Sequence, residues 1–421
     1  MRADDNKILI AGMGMTGRSS ARYFDSQAVT CVTCDDAPDV SAQPCTREVL
    51  SASDYLVKSP GIPNQQFGEF FPQHRLINDV EVFMRICRKP LILVTGTNGK
   101  STVVALLEHI LSACGIKALA CGNYGVPVLD AYEAKADLYV IEVSSYQLEN
   151  MITLRSLSAV VLNIGNDHLD RYEDLADYLS VKEKVYTNTG DRVCPINSKG
   201  EVSYRNAAAG YQYDGKSGTG CYLVSGDRIT HAGADYISLD GLSLSGNHNY
   251  LNICAALCLC RSLALDDAEV KQALGGFSGL EHRMELFDTD AKGRKWINDS
   301  KSTNLHSLEA ALACCGEPVC LLMGGQSKNE DYAAFFDEYA SRITHLVLFG
   351  RDAESIGEQA AKVISRHLVA GVAQAVAVAN KISGNGAVIL FSPACSSFDQ
   401  YENYRLRGED FKAQVRRELS C

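Results

Sequence analysis

The sequence predicts an α/β protein of three domains. They are an N-terminal Rossmann-like unit, a central parallel sheet of the phosphate-loop ATPase type carrying a small β element, and a C-terminal Rossmann-like unit. Three observations carry the prediction. Short apolar strands alternate with helical stretches along the 421 residues, the pattern of doubly wound sheets. Residues 91–102 read LILVTGTNGKST, a strand running into a glycine-rich turn that ends in lysine and two hydroxyls. Residues 12–17 read GMGMTG after a short strand, and the acids Asp35 and Asp36 stand about 20 residues further on.

In the first segment, strands are expected at 7–11 and 29–34 with a helix at 18–27 between them. This arrangement predicts a phosphate at the helix start and a ribose or base near the acids. A tight turn that needs glycine explains the same spacing. A strand at 55–58 leads to the stiff turn Ser59-Pro60-Gly61-Ile62-Pro63. Pro90 punctuates the chain and sets the first domain at 1–89. Alone, this unit also fits a dehydrogenase, but a nicotinamide site leaves the loop at 91–102 unexplained.

That loop is the clearest chemical signal. Exposed amides at Gly96, Thr97, Asn98 and Gly99, with a helix expected at 103–114, face an anion. Lys100 supplies a point charge to the outer phosphates, and Ser101 or Thr102 a hydroxyl to Mg²⁺. Val94 stands where the usual pattern has glycine, so the turn is shortened. Strands at 138–142 and 157–164 repeat the device, with Glu142 ending one and His168 following the other. Ligands of open α/β sheets bind beyond the carboxyl ends of strands, so Lys100, Glu142 and His168 point to one Mg²⁺–nucleotide site. A helix at 173–188 has Asp174 and Asp177 early and Lys182 and Lys184 late, as its dipole favours. By that logic Lys182 is a solvated lysine. Residues 197–245 read as the small β element. Helices at 251–263 and 266–274 and a linker at 277–280 complete a second domain, 90–280. The third domain, 281–421, ends its strands in Lys301, Thr303, Lys328 and Ser397, donors suited to carboxylates or phosphates.

The whole chain narrows the options. It is 46% hydrophobic and 22% charged, ordinary for a globular protein, and its net charge of −11 with no basic stretch argues against nucleic acid. The sixteen cysteines show no framework. Cys31 and Cys34 form a lone CxxC and read as core thiols, and many unpaired thiols suggest a reducing compartment. The polar start MRADDNK does not read as a signal peptide, and no apolar run reaches the roughly 18 residues of a membrane span. A cytoplasmic protein without membrane insertion is expected. Two phosphorylated ligands fit activation of one substrate by ATP. The residue types alone leave open a kinase, a ligase or an ATP-sensing module.

An ordered set of motifs goes further. GTNGKST at Gly96, EVSSYQLE at Glu142, NIGNDHLDRY at Asn163, GNHN at Gly246, EHRME at Glu281 and NDSKSTN at Asn298 resemble the Mur ligases. These are the ATP-dependent amide ligases of bacterial peptidoglycan synthesis. GMGMTG at Gly12, SPGIP at Ser59, GNYG at Gly122 and SPACSSFDQYENYRLRGEDF at Ser392 extend the resemblance over essentially the whole chain. It implies that ATP phosphorylates the alanyl carboxylate of UDP-MurNAc-L-Ala, and that the amine of D-glutamate attacks the acyl phosphate. Another Mur-type or folylpolyglutamate-type ligase with a different acceptor is the alternative. The resemblance implies Lys100, His168, Lys182 and Lys301 as catalytic. It places Gly96, Thr97, Asn98, Gly99, Lys100, Ser101, Thr102, Asn249, Arg283 and Asp299 on ATP. Two Mg²⁺ ions would be held by Ser101, Glu142, His168 and a carbamylated Lys182. Met15, Thr16, Asp35, Asp36, Gly61, Asn123 and Ser144 match the UDP-sugar side, and Thr303, Lys328, Ser397, Phe398 and Tyr404 the D-glutamate pocket. The partners implied are these small molecules alone, with the chain acting as a monomer.

Overall fold

The computed structural model describes residues 7–36, 44–165, 171–204, 208–244, 246–327, 330–360 and 365–420. His168 and Lys328 lie outside the described residues. The described residues form three sheets. The first contains β1 (Ile8–Ala11), β2 (Cys31–Cys34), β3 (Tyr55–Lys58) and β4 (Leu76–Ile77), parallel and in the order β2-β1-β3-β4.

The second sheet has nine strands. Its parallel part comprises β5 (Leu91–Thr95), β6 (Ala118–Gly122), β7 (Leu138–Glu142), β8 (Ser156–Val161) and β9 (Thr189–Ile196). The residues expected to make a small β element carried on this domain do so by continuing this sheet. Strands β10 (Gly210–Gly215), β11 (Gly218–Ser225), β12 (Arg228–His231) and β13 (Ala234–Ser238) add to β9 as an antiparallel meander. The long strand β9 makes this possible by pairing parallel with β8 on one side and antiparallel with β10 on the other. The full order is β13-β12-β11-β10-β9-β8-β5-β7-β6.

The third sheet contains β14 (Glu285–Thr289), β15 (Lys295–Asn298), β16 (Val319–Gly324), β17 (Ile343–Phe349), β18 (Arg366–Val369) and β19 (Val388–Phe391), in the order β14-β15-β19-β16-β17-β18. Only β14 runs antiparallel. Alternate residues of β16 feed two cores: Val319, Leu321 and Met323 lie in one, Cys320 and Leu322 in the other. Both faces are therefore covered, as a doubly wound sheet requires.

The chain divides into two compact units, Met1–Ser243 with Asn249–Phe277, and Leu244–His248 with Ser278–Cys421. In the first, Ile8, Val57, Phe83, Leu91, Tyr139 and Ile141 share one buried core, so its two sheets are packed as one body. Phe83 meets Tyr139 edge to face at 5.1 Å.

Three local expectations change. The helix after the phosphate loop starts at Lys100, not 103, because Gly99 takes a left-handed conformation (φ 86°) and caps it. The helix expected at 251–263 runs Asn247–Cys260, which puts Asn249 in its first turn. Cys34 is not a free core thiol. The chain returns to the end of β2 and joins it to Cys45 in a disulfide, while thirteen other described cysteines are free. No helix among the described residues is long and apolar enough to cross a membrane.

Candidate functional site

In the first unit, β5 is buried throughout and lies between β7 and β8. The register sets Val94 beside Glu142 and Thr95 beside Val161, so the phosphate loop and both neighbouring strand ends emerge level. The loop is held from beneath by Asn163. Its Oδ1 accepts from the Asn98 amide at 2.9 Å, its Nδ2 donates to the Asn98 carbonyl at 3.1 Å, and its own carbonyl accepts from the Thr97 amide at 2.9 Å. A Cβ on Gly99 would meet Asn252 Oδ1 at 2.4 Å, so the helix Asn247–Cys260 packs directly against the loop's last glycine. Asn252 also donates to Asn249 Oδ1 at 3.3 Å.

The charged side chains converge on this loop. The Lys100 ammonium donates to the carbonyls of Gly96 (2.9 Å) and Thr97 (2.8 Å). Ser101 Oγ donates to one oxygen of Glu142 at 2.8 Å, and Asn123 Nδ2 donates to the other at 2.7 Å. Ser101 and Glu142 are both 1% exposed. Thr102 is buried on the same helix turn. Lys182 departs from the solvated position that its spacing predicts. It is buried, with Nζ 3.0 Å from the Gly96 carbonyl and 4.6 Å over the Tyr178 ring. Its helix, Leu175–Glu183, packs that turn inward.

The N-terminal motif opens the first helix, with both acids engaged by backbone amides. Met15 and Thr16 open the helix Met15–Ser26 at its Gly14 cap. Asp35 Oδ2 accepts from the Met13 amide at 2.5 Å, and Asp36 Oδ1 from the Cys45 amide at 3.1 Å. Neither Gly14 nor Gly61 is in the left-handed region, and a Cβ on either would meet nothing within 4 Å. The fold itself therefore does not demand glycine there, and the open space suits close approach of a ligand to backbone. Ser144 caps the short helix Ser145–Leu148 in a reciprocal pair with Gln147.

In the second unit, β15, β19 and β16 end side by side. Asp299 accepts from the Ser392 hydroxyl at 2.8 Å and the Met284 amide at 3.2 Å, and burial raises its carboxyl to a pKa of about 7. Arg283 stands between His282 (φ 62°) and Met284 (φ 45°), two non-glycine residues in the left-handed region, and its charge acts on Asp299. Lys301 Nζ donates to the Tyr404 hydroxyl at 3.2 Å, and Arg405 Nε donates to it at 3.3 Å. Burial pushes the Tyr404 phenol up, but the Lys301 and Arg405 charges outweigh it and hold the pKa below the ordinary tyrosine value. Ser397 is buried and Phe398 is 71% exposed. Thr303 is half-buried. Beneath them Arg407, fully buried, donates to the Ser300 carbonyl at 2.8 Å and the Cys395 carbonyl at 3.0 Å, bracing both strand-end loops.

Asn163, Asn252 and Arg407 were not singled out by sequence reasoning. Asn163 carried one signal, a lone polar residue near the end of the apolar run expected as a strand at 157–164. The other two act through contacts made only in the folded chain.

Residues 94–260 match the family described as Mur ligase middle domain, and 282–395 the one described as Mur ligase, glutamate ligase domain. The chain belongs to the Mur ligase family. Within it, two relatives that span nearly its whole length are UDP-N-acetylmuramoylalanine–D-glutamate ligases. The one from Alcanivorax borkumensis is 32% identical over 98% of this chain and 98% of its own. The one from Methylococcus capsulatus is 33% identical over 98% and 95%. Among solved structures, UDP-N-acetylmuramate–alanine ligase from Thermotoga maritima shares the fold with a TM-score of 0.61 at 17% identity, covering 98% of this chain and 100% of that one.

Proposed function

We propose that this chain is an ATP-dependent amide ligase that adds D-glutamate to UDP-N-acetylmuramoyl-L-alanine in the cytoplasm, releasing ADP and phosphate. The observation that carries the chemistry is the Ser101–Glu142–Asn123 cluster set level with Lys100 at adjacent strand ends. Relatives of that activity covering 98% of the chain support the substrate assignment. Residues 1–89 are assigned to the UDP-sugar, 90–280 to ATP and 281–421 to D-glutamate.

The loop amides and Lys100 are assigned to the phosphates of ATP, and Asn249, Arg283 and Asp299 are each assigned a contact with ATP. The Ser101 hydroxyl and Glu142 carboxylate are hard oxygen donors that fit Mg²⁺, with His168 toward a second ion. Bound Mg²⁺ supplies charge neutralisation where anionic phosphate meets anionic carboxylate. Lys182 is proposed as the carbamylated lysine. Carbamylation would turn a donor into an anion beside the Gly96 carbonyl, so the modified side chain needs a cation in the same space. Met15, Thr16, Asp35, Asp36, Gly61, Asn123 and Ser144 orient the UDP-sugar. Lys301 meets the transferring phosphate. Thr303, Lys328, Ser397, Phe398 and Tyr404 hold D-glutamate with its amine toward the acyl phosphate. Exclusion of water then preserves that hydrolysable intermediate.

The test is phosphate release from ATP with UDP-MurNAc-L-Ala and a panel of amino acids. Release that depends on D-glutamate is expected. Equal release with L-glutamate or lysine overturns the substrate assignment, and release with neither substrate dependence leaves only an ATPase. Size-exclusion chromatography with light scattering checks the proposed monomer.

A further inference from the structure

One buried ion pair in the first unit is not used by the mechanism above. Glu149 and Arg171 form a two-pronged contact, Nη2 to Oε2 at 2.6 Å and Nε to Oε1 at 2.9 Å. Their side chains are only 14% and 12% exposed. Paired bonds of this kind fix orientation as well as distance. The guanidinium lies 4.2 Å over the Tyr146 ring, and Tyr172 donates its hydroxyl to Glu149 at 2.8 Å. Arg171 is thus held on several sides.

The remaining nitrogen of Arg171 reaches the turn at 59–63. Nη1 donates to the Pro60 carbonyl at 3.5 Å. Buried Lys58, two residues before Pro60, donates to the Ile62 carbonyl at 2.8 Å. Two cations therefore draw two carbonyls of this turn inward. The peptide bond between Pro60 and Gly61 is trans, so its C=O and N–H point in opposite directions. A Pro60 carbonyl drawn inward turns the Gly61 amide outward. That side is open, since Gly61 is exposed and a Cβ there would meet nothing within 4 Å.

We propose that Arg171, locked by Glu149, is a positioning residue that aims the Gly61 amide at an anionic oxygen of the UDP-sugar. The inference rests on the ligase reading above. It also joins three stretches of chain. Glu149 lies seven residues beyond Glu142, and Arg171 three beyond His168, so the ion pair ties the sugar-side turn to chain close in sequence to two of the four proposed metal ligands.

Steady-state kinetics of Arg171→Met, Arg171→Lys and Glu149→Gln provide the test, with each substrate varied in turn. KM for UDP-MurNAc-L-Ala is expected to rise about tenfold or more in Arg171→Met and Glu149→Gln, and to recover partly in Arg171→Lys. KM for D-glutamate stays within about twofold. UDP alone, titrated by calorimetry, weakens in parallel. A merely structural pair lowers the active fraction, which reduces kcat and leaves KM unchanged. Unchanged KM for the UDP-sugar in variants that fold, or equal shifts for all substrates, overturns the proposal. If Arg171→Met does not fold, Glu149→Gln, which keeps the shape of the side chain, decides on the same readouts. Wild-type protein without D-glutamate-dependent turnover overturns the ligase reading itself, an outcome distinct from variants that match an active wild type.

Discussion

Replacing Asp79 by asparagine should stabilise the first unit at alkaline pH and leave it nearly unchanged in acid. Asp79 opens the helix Asp79–Ile86, is 2% exposed, and its Oδ1 has no hydrogen-bond partner among the described residues. Burial raises its pKa from 3.8 to about 7, against smaller opposing hydrogen bonds from backbone and Gln147. A carboxyl whose folded pKa is raised favours folding while protonated. That contribution is complete below pH 3.8, fades as the pH climbs to about 7, and is absent above it. The interval corresponds to about 4 kcal/mol. The carboxamide of the Asp79→Asn variant stays neutral throughout, so the variant escapes the loss. At about 2–4 °C per kcal/mol for a body of this size, its melting temperature should exceed the wild type's by roughly 8 °C or more at pH 8.5. Near pH 4 the two should melt together. Other carboxyls titrate in both proteins and cancel in the difference. Scanning calorimetry across pH 4–8.5 makes the comparison. A gap independent of pH, or a variant less stable at pH 8.5, refutes the reasoning.

Lys182→Ala should abolish phosphate release, with partial rescue by acetate or bicarbonate. Unchanged turnover would return Lys182 to a packing role despite its burial against Gly96. Gly99→Ala places a side chain at φ 86° and within 2.4 Å of Asn252, so KM for ATP should rise at least tenfold, checked by initial rates. An unaltered KM would show that the loop tolerates another cap. Tyr404→Phe removes the hydroxyl held by Lys301 and Arg405. Absorbance titration at 295 nm should show that the wild type loses a tyrosine proton at lower pH than the variant, because those cations favour phenolate. Superimposable titrations would dismiss the charge argument.

The strand–loop–helix at 91–102 was legible because local rules and tertiary demands agree there. A buried strand and a glycine turn that opens a helix are written in neighbouring residues, although the helix starts at Lys100, three residues ahead of the expected place. The same holds for Glu142, whose place at a strand end follows from the apolar run before it. Lys182 was not legible from spacing. A lysine late in a helix is favoured by the dipole whichever way it faces, and only packing of Leu175–Glu183 onto the loop turns it inward. Arg407 is the opposite case. Nothing in a helix reading RLRGEDF announces a guanidinium with no exposed surface, because Ser300 lies 107 residues away and the Cys395 carbonyl, 12 residues back, comes within reach only when the loop between them folds. The β meander was visible only as a small β element, and its union with the main sheet depends on the double pairing of β9, which no local pattern encodes.

The sheet order around β5 also governs when the nucleotide site comes into being during synthesis. Strand β5 ends at Thr95, yet its partners are β7, beginning at Leu138, and β8, beginning at Ser156. Asn163, which closes the loop, follows later still, and Asn252 presses on Gly99 from far down the chain. A nascent chain that has exposed only the phosphate-loop sequence has no strands to flank it and no cradle to bend it. ATP therefore cannot help the early chain to fold, because its binding energy becomes available only after the long-range parallel pairings have formed. The meander β10–β13 pairs neighbours in sequence and needs no such wait.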